Sequence, residues 1–89
     1  MKRKLKIEQI LSENFFDAFC DVKDVSFKHK GHLGYKEGEE THFEISIISD
    51  RFIKLTRVER HRLLNSLLEN EFNNGLHAIS YNLLTKSEV

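Results

Sequence analysis

The chain has 89 residues, of which 39% are hydrophobic and 31% are charged, and this length suits one small domain with a single core. Its 14 basic residues balance its 14 acidic residues, which excludes a protein whose overall charge is built to neutralise many phosphates. No apolar run approaches the length that spans a bilayer, and the single cysteine, Cys20, cannot form an internal disulfide. We therefore expect one domain over residues 1–89, soluble and in a reducing intracellular compartment, with no membrane contact.

The first predicted element is an amphipathic helix over about residues 4–16, because apolar residues recur there at three- and four-residue spacing. A strand is predicted next, since Cys20, Val22, Val25 and Phe27 alternate imperfectly with charged residues. The imperfect alternation indicates an irregularity near Lys23 and Asp24.

Residues 28–40 hold three of the chain's four glycines and are predicted to form a long flexible loop. The next stretch, residues 41–49, contains the clearest strand pattern in the chain. Phe43, Ile45 and Ile47 alternate there with polar residues, as expected for a strand with one buried face.

A capping box predicts the start of a long helix at Thr56, whose hydroxyl would accept from the backbone amide of Glu59 while the Glu59 carboxylate reaches back. Gly75 predicts the left-handed end of this helix. A turn or short helix is expected before it, over residues 50–55, and a last strand after it, over residues 76–84. The core stripe of the long helix is expected to be Leu64, Leu67, Leu68 and Phe72.

This order of elements predicts an α+β fold with a small three-stranded mixed sheet and helices packed on one face. The first two strands are most simply an antiparallel pair. The second and third strands should be parallel, because a helix connects them.

Histidine is the residue type most able to ligate a metal in this chain, since only one cysteine is present. Taken alone, His77 is most simply a hydrogen-bonded residue of the last strand, while His29 and His32 are solvated loop residues. His42 is expected to be structural or to support a neighbouring ligand, and His61 to pack against the core side of its helix.

The spacing of His29 and His32, with His42 or His77, could in principle hold zinc. No glutamate stands in an H-E-x-x-H arrangement, and no other general base is evident. We therefore expect that the protein is not an enzyme.

Six ordered motifs resemble the BolA-like proteins and cover most of the chain: DVS (residues 24–26), the glycine loop with its histidines, ETHF (40–43), ISDRF (48–52), RVERHRLLN (57–65) and LHAIS (76–80). The resemblance implies a class II KH-like α-β-β-α-β fold. It also implies a heterodimer with a monothiol glutaredoxin, in which the two proteins share a two-iron two-sulfur cluster and glutathione comes with the partner.

The resemblance further implies that His77 is one cluster ligand and that a second comes from the loop between the first two strands. His32 is the preferred loop ligand, because glycines on both sides leave its ring free to approach a partner, and His29 is the alternative. His42 and His61 would be supporting or structural. A weak homodimer of the apo protein is left open, and the expected compartment is the bacterial cytoplasm or, in a eukaryote, the mitochondrial matrix.

An alternative function is a nucleic-acid-binding transcriptional regulator, since some BolA-like proteins are described as such. The candidate contacts are basic residues around the start of the long helix: Arg51, Lys54, Arg57, Arg60 and Arg62. A third alternative is a protein-interaction module that never meets a metal.

Overall fold

A computed structural model describes residues 2–16, 18–29 and 40–89. Its helices and strands, in chain order, are α1 (Arg3–Asn14), β1 (Phe19–Asp24), β2 (His42–Ile48), α2 (Arg57–Leu67), α3 (Glu69–Phe72) and β3 (Ala78–Leu84). Short 3-10 turns occupy Ser26–His29, Asp50–Phe52 and Lys86–Glu88. In these ranges, no helix is long and apolar enough to cross a membrane.

The three strands form one mixed sheet in the order β1-β2-β3, as predicted. β1 and β2 are antiparallel, with Val22 opposite Ile45, and β2 and β3 are parallel, with Ile45 beside Tyr81. Because side chains alternate between the faces of a strand, this register brings apolar residues of all three strands to one face. The other face carries polar residues such as Glu44 and Ser46.

Both long helices contribute to the core that covers the apolar face. Ile7 and Leu11 of α1 and Leu64 of α2 are almost fully buried in one cluster with Phe43 and Ile45 of β2. The α+β fold class, with helices on one face of the sheet, is therefore confirmed.

The prediction of one strand through Val25 and Phe27 was wrong. β1 ends at Asp24, and a 3-10 turn begins at Ser26. The Asp24 carboxylate accepts hydrogen bonds from the Ser26 amide at 3.0 Å and the Ser26 hydroxyl at 2.6 Å. This Asx-type turn ends the strand, and it leaves Phe27 72% exposed.

The capping box at Thr56 is confirmed, since both of its reciprocal hydrogen bonds are present. The prediction of one continuous helix after it was wrong, because α2 ends at Leu67 and α3 begins at Glu69. Leu68 leaves helical geometry at φ −102° and ψ 10° while it stays fully buried. The break redirects the chain so that Glu71 forms an ion pair with Arg3 at 3.0 Å.

Candidate functional site

His77 lies between the end of α3 and the start of β3, and its backbone is held firmly. Gly75 turns the chain with φ +109°, a conformation that favours glycine, and Leu76 is buried next to it. The amides of His77 and Ala78 then donate to a single acceptor, the Thr41 carbonyl, at 2.9 and 3.2 Å. The His77 side chain is exposed, so a fixed backbone presents an accessible imidazole.

His42 lies beside His77 but is buried, with only 4% of its surface exposed. Its Nδ1 is 2.8 Å from the hydroxyl of Thr41, which is itself fully buried. The centroids of the His42 and His77 rings are 5.0 Å apart, and the ring planes are inclined by 45°. His42 is therefore part of the protein interior that supports one side of the exposed ring.

The Ser26 hydroxyl joins this site to the end of β1. It accepts hydrogen bonds from the amides of Thr41 and His42 at 2.9 and 3.1 Å, and it donates to Asp24 at 2.6 Å. Asp24, Ser26 and Thr41 were not predicted as contributors to the site. The D-V-S sequence was a usable signal, because an aspartate two residues before a serine favours an Asx-type turn.

The predicted loop ligands cannot be placed relative to His77. His32 and the side chain of His29 lie outside the described residues. In the part of the chain that is described, no group of three or more His, Cys, Asp or Glu side chains could hold a metal ion. The zinc alternative and the choice between His32 and His29 therefore stay predictions.

His61 does not contribute to the site at His77. Its ring contacts Tyr81 edge-to-face, with centroids 5.2 Å apart, on the helix-covered face of the sheet. The Tyr81 hydroxyl donates to Asn65 at 2.7 Å, and burial raises the pKa of Tyr81 above its ordinary value. His61 is thus half-buried and packs against Tyr81, and its structural role stays a prediction.

Of the predicted basic residues, Arg60 has a structural role in this fold. Its side chain is 11% exposed and donates to the carbonyls of Leu55 and Leu83 at 3.1 and 3.0 Å. Its guanidinium also binds both carboxylate oxygens of Glu88, at 2.6 and 3.2 Å. This Arg60 clamp, formed by Arg60, Leu55, Leu83 and Glu88, fixes the final turn of the chain against α2.

The remaining basic residues are exposed around the same junction. Arg51 donates to the Asn14 carbonyl at 2.7 Å, and its guanidinium lies 5.0 Å from the centroid of the Phe15 ring. The other exposed basic side chains there are Lys54, Arg57 and Arg62. A nucleic-acid contact at this junction would rest on these residues rather than on Arg60.

The fold and the site together define a small α+β domain that presents an exposed histidine, anchored by the backbone, where its last strand begins. A sequence profile described as BolA-like protein matches residues 11–88. The chain belongs to the BolA-like protein family.

Its relatives include plant and bacterial proteins. The chain is 45% identical to the chloroplastic protein BOLA1 of Arabidopsis thaliana over 75% of its own length and 43% of that protein. It is 37% identical to the chloroplastic/mitochondrial SufE-like protein 1 of the same plant, over 98% of the chain and 24% of that protein. The chain therefore spans less than half the length of these two relatives.

A solved structure gives the same fold. The BolA domain of SufE1 from Arabidopsis thaliana superposes with a TM-score of 0.87 at 37% identity, covering 100% of this chain and 98% of that domain. A bacterial relative, from Vibrio cholerae, is named a DNA-binding transcriptional regulator and is 37% identical over 92% of this chain and 74% of that protein.

Proposed function

We propose that this domain is a non-enzymatic adaptor that binds a monothiol glutaredoxin and shares a two-iron two-sulfur cluster with it, in cluster trafficking or in iron and redox regulation. The observation that carries the proposal is the exposed imidazole of His77 on a backbone fixed by the Thr41 carbonyl. A ligand whose backbone is already ordered loses little conformational entropy when a partner's metal binds to it.

The residues of this chain fit part of a cluster site. An iron-sulfur cluster usually needs four protein ligands, most often cysteine thiolates. Cys20 lies in β1 and packs partly against the core, and burial raises the pKa of its thiol, which disfavours the thiolate that binds iron. His77 can supply one imidazole and the loop containing His32 and His29 a second, so the partner must supply the rest.

The partner and this chain would then supply different ligands to the cluster. The glutaredoxin and its glutathione would provide thiolates, and His77 with His32, or His29 as the alternative, would complete the coordination. When bound, the cluster would supply iron and sulfide for transfer, or a redox-active centre whose potential imidazole ligands raise. His42 and Thr41 would orient the His77 backbone and shield one side of its ring, because both are buried and lie next to it.

The direct test is to mix the protein with cluster-loaded monothiol glutaredoxin and to follow visible absorption and circular dichroism together with the mass of the complex. We expect a changed spectrum and a one-to-one heterodimer. In the His77→Ala variant the cluster should be lost several times faster, whereas His77→Cys should retain a cluster with an altered spectrum, since a thiolate can replace imidazole.

His61→Ala is the matched control, because the His61 ring packs against Tyr81 and does not contribute to the site at His77, so this change should leave the spectrum unchanged. Separate His32→Ala and His29→Ala variants assign the loop ligand. An unaltered glutaredoxin spectrum on mixing, or equal cluster retention in His77→Ala and the unmodified protein, would refute the adaptor role proposed for this site.

Nucleic-acid binding is the second candidate function. It is supported by the exposed side chains of Lys54, Arg57 and Arg62 at one junction and by the Vibrio cholerae relative's name. It predicts DNA affinity that falls steeply with added salt and falls further in Arg57→Glu, while His77→Ala binds DNA normally. Absence of binding at low salt would eliminate this function.

A further inference from the structure

The outer edge of β1 is open in the part of the chain that the structure describes. There β1 pairs with β2 alone, and it is the first strand of the sheet order. The Val25 amide donates to the His42 carbonyl at 2.9 Å, so in this register the odd-numbered residues of β1 direct their backbone groups toward β2. The backbone groups of Cys20, Val22 and Asp24 therefore point outward, where another strand could pair with them.

The charges on this edge strand alternate in a self-complementary way. Asp21 and Lys23 lie on the face of the sheet away from the helices, with their side chains 42% and 65% exposed, and their charged atoms are 3.7 Å apart. In an antiparallel pair of β1 strands centred on Val22, Asp21 of each copy stands opposite Lys23 of the other. The pair thus gains two ion pairs between the copies, while Val22 stands opposite Val22.

The same charges disfavour the neighbouring registers. The outward backbone groups are those of every second residue of β1, and they must face each other in any pair of β1 strands. One copy can therefore slide along the other only by two residues at a time. One such step in either direction brings Asp21 opposite Asp21 or Lys23 opposite Lys23. Like charges directly opposite each other destabilise a strand pair, so the charges select the register centred on Val22.

From this edge and its charges we infer that the protein self-associates, with β1 of a second copy of this chain as the partner, to form a continuous six-stranded sheet across two molecules. An open groove of about 310 Å³ runs beside the edge, and Leu11, Phe16, Cys20 and Val22 are among the residues that line it. Phe16 is 80% exposed there, and Phe19, at the start of the strand, is 59% exposed. The second copy would cover part of this apolar surface.

The dimer is expected to be weak and rapidly exchanging. Pairing of one six-residue edge buries less than the ~1,200 Å² at the lower limit of standard stable interfaces. The inference is independent of the proposed function, because His77 adjoins β3, at the opposite edge of the sheet from β1. A chain can therefore fail to bind a cluster and still form this dimer, or the reverse.

Sedimentation equilibrium of the full chain up to millimolar concentration tests the inference, with charge variants as matched controls. We expect a concentration-dependent dimer, and a dissociation constant raised by about tenfold or more in Lys23→Asp and in Asp21→Lys, where attractive pairs become repulsive. The double swap Asp21→Lys/Lys23→Asp should restore association. All these positions are on the solvent face, and circular dichroism checks that each variant is folded.

Disulfide trapping tests the register itself, in a Cys20→Ser background. A mixture of Asp21→Cys and Lys23→Cys chains should cross-link, because these positions face each other in the proposed register. Either variant alone should cross-link far less, since like positions then lie diagonally, about 7–8 Å apart. A monomer at every concentration, no rescue by the double swap, or equal cross-linking of all combinations would overturn the inference.

Discussion

The imidazole of His77 lies against that of His42, with 5.0 Å between ring centroids, although one ring is exposed and the other is buried. The two histidines occupy adjacent positions in space because the His77 and Ala78 amides share the Thr41 carbonyl, next to His42 in sequence. Proximity therefore does not give them the same role. The buried ring belongs to the packing of the fold, and the exposed ring is available to a partner.

This difference predicts unequal effects of the two substitutions on stability. His42→Ala should lower the free energy of unfolding by about 1–3 kcal/mol, because it empties a buried position and removes the hydrogen-bond partner of the buried Thr41 hydroxyl. His77→Ala should change it by less than about 0.5 kcal/mol, as expected for an exposed side chain. Urea denaturation of both variants measures this, and equal losses would contradict the assignment.

The Arg60 clamp predicts a similar contrast within α2. Arg60→Ala should cost about 2–3 kcal/mol, because the carbonyls of Leu55 and Leu83 and the Glu88 carboxylate lose a shared charged donor. Arg62→Ala, on the exposed face of the same helix, should cost less than about 0.5 kcal/mol. Thermal and urea unfolding compare the two. If both variants are as stable as the unmodified protein, the Arg60 clamp does not contribute to the free energy of unfolding.

The ion pair between Arg3 and Glu71 connects the first helix to the residues that precede His77. Its side chains are 15% and 8% exposed, and Arg3 also donates to the Glu40 carbonyl at 2.7 Å. Glu71→Ala should therefore cost about 3 kcal/mol, since a largely buried guanidinium loses its counter-charge. Glu69→Ala, an exposed change on the same short helix, is the control in a denaturation series and should be near neutral.

Glu88 predicts a measurable dependence of stability on pH. The hydrogen bond from Arg60 and then that from the Thr85 amide lower the pKa of Glu88 from its ordinary value of 4.5 to about 2. The folded state therefore binds this proton less readily than the unfolded chain, so the contribution is complete above about pH 4.5 and is lost as the pH falls toward 2.

Glu88→Gln isolates this effect. The difference in unfolding free energy between the unmodified protein and the variant should be constant above about pH 4.5 and should shrink in more acidic solution. Urea unfolding at a series of pH values measures the difference. If this difference in unfolding free energy does not change with pH, Arg60 does not hold the Glu88 carboxylate in its ionised form.

Periodicity and capping predicted the elements that depend on local pattern. The alternation around Phe43 and Ile45 placed β2, the Thr56 capping box placed the start of α2, and the connections gave the correct strand pairing. These predictions were correct because each of the elements is specified by residues only a few positions apart. The family resemblance, from ordered motifs, supplied the correct fold.

Apart from the local turn at Asp24 and Ser26, the failures involve contacts between residues far apart in the chain. Leu68 matches a continuous helical stripe, yet the helix breaks there, and Glu71 reaches Arg3, 68 positions away in sequence. From the sequence, Arg60 was expected to be an exposed basic residue, but its guanidinium donates hydrogen bonds to the Leu83 carbonyl and the Glu88 carboxylate. Thr41 could not be identified as the anchor of His77 because that bond requires the parallel pairing of β2 and β3.

Thr41 also has a consequence for how the family can diversify. The Ser26 hydroxyl accepts from the Thr41 amide, and the Thr41 carbonyl accepts from the amide of His77, so the backbone is held on both sides of this one residue. Residues added or removed between Ser26 and Thr41 would enter a segment whose two ends are already joined. The length and chemistry of that segment could therefore change while the imidazole next to β3 keeps its position.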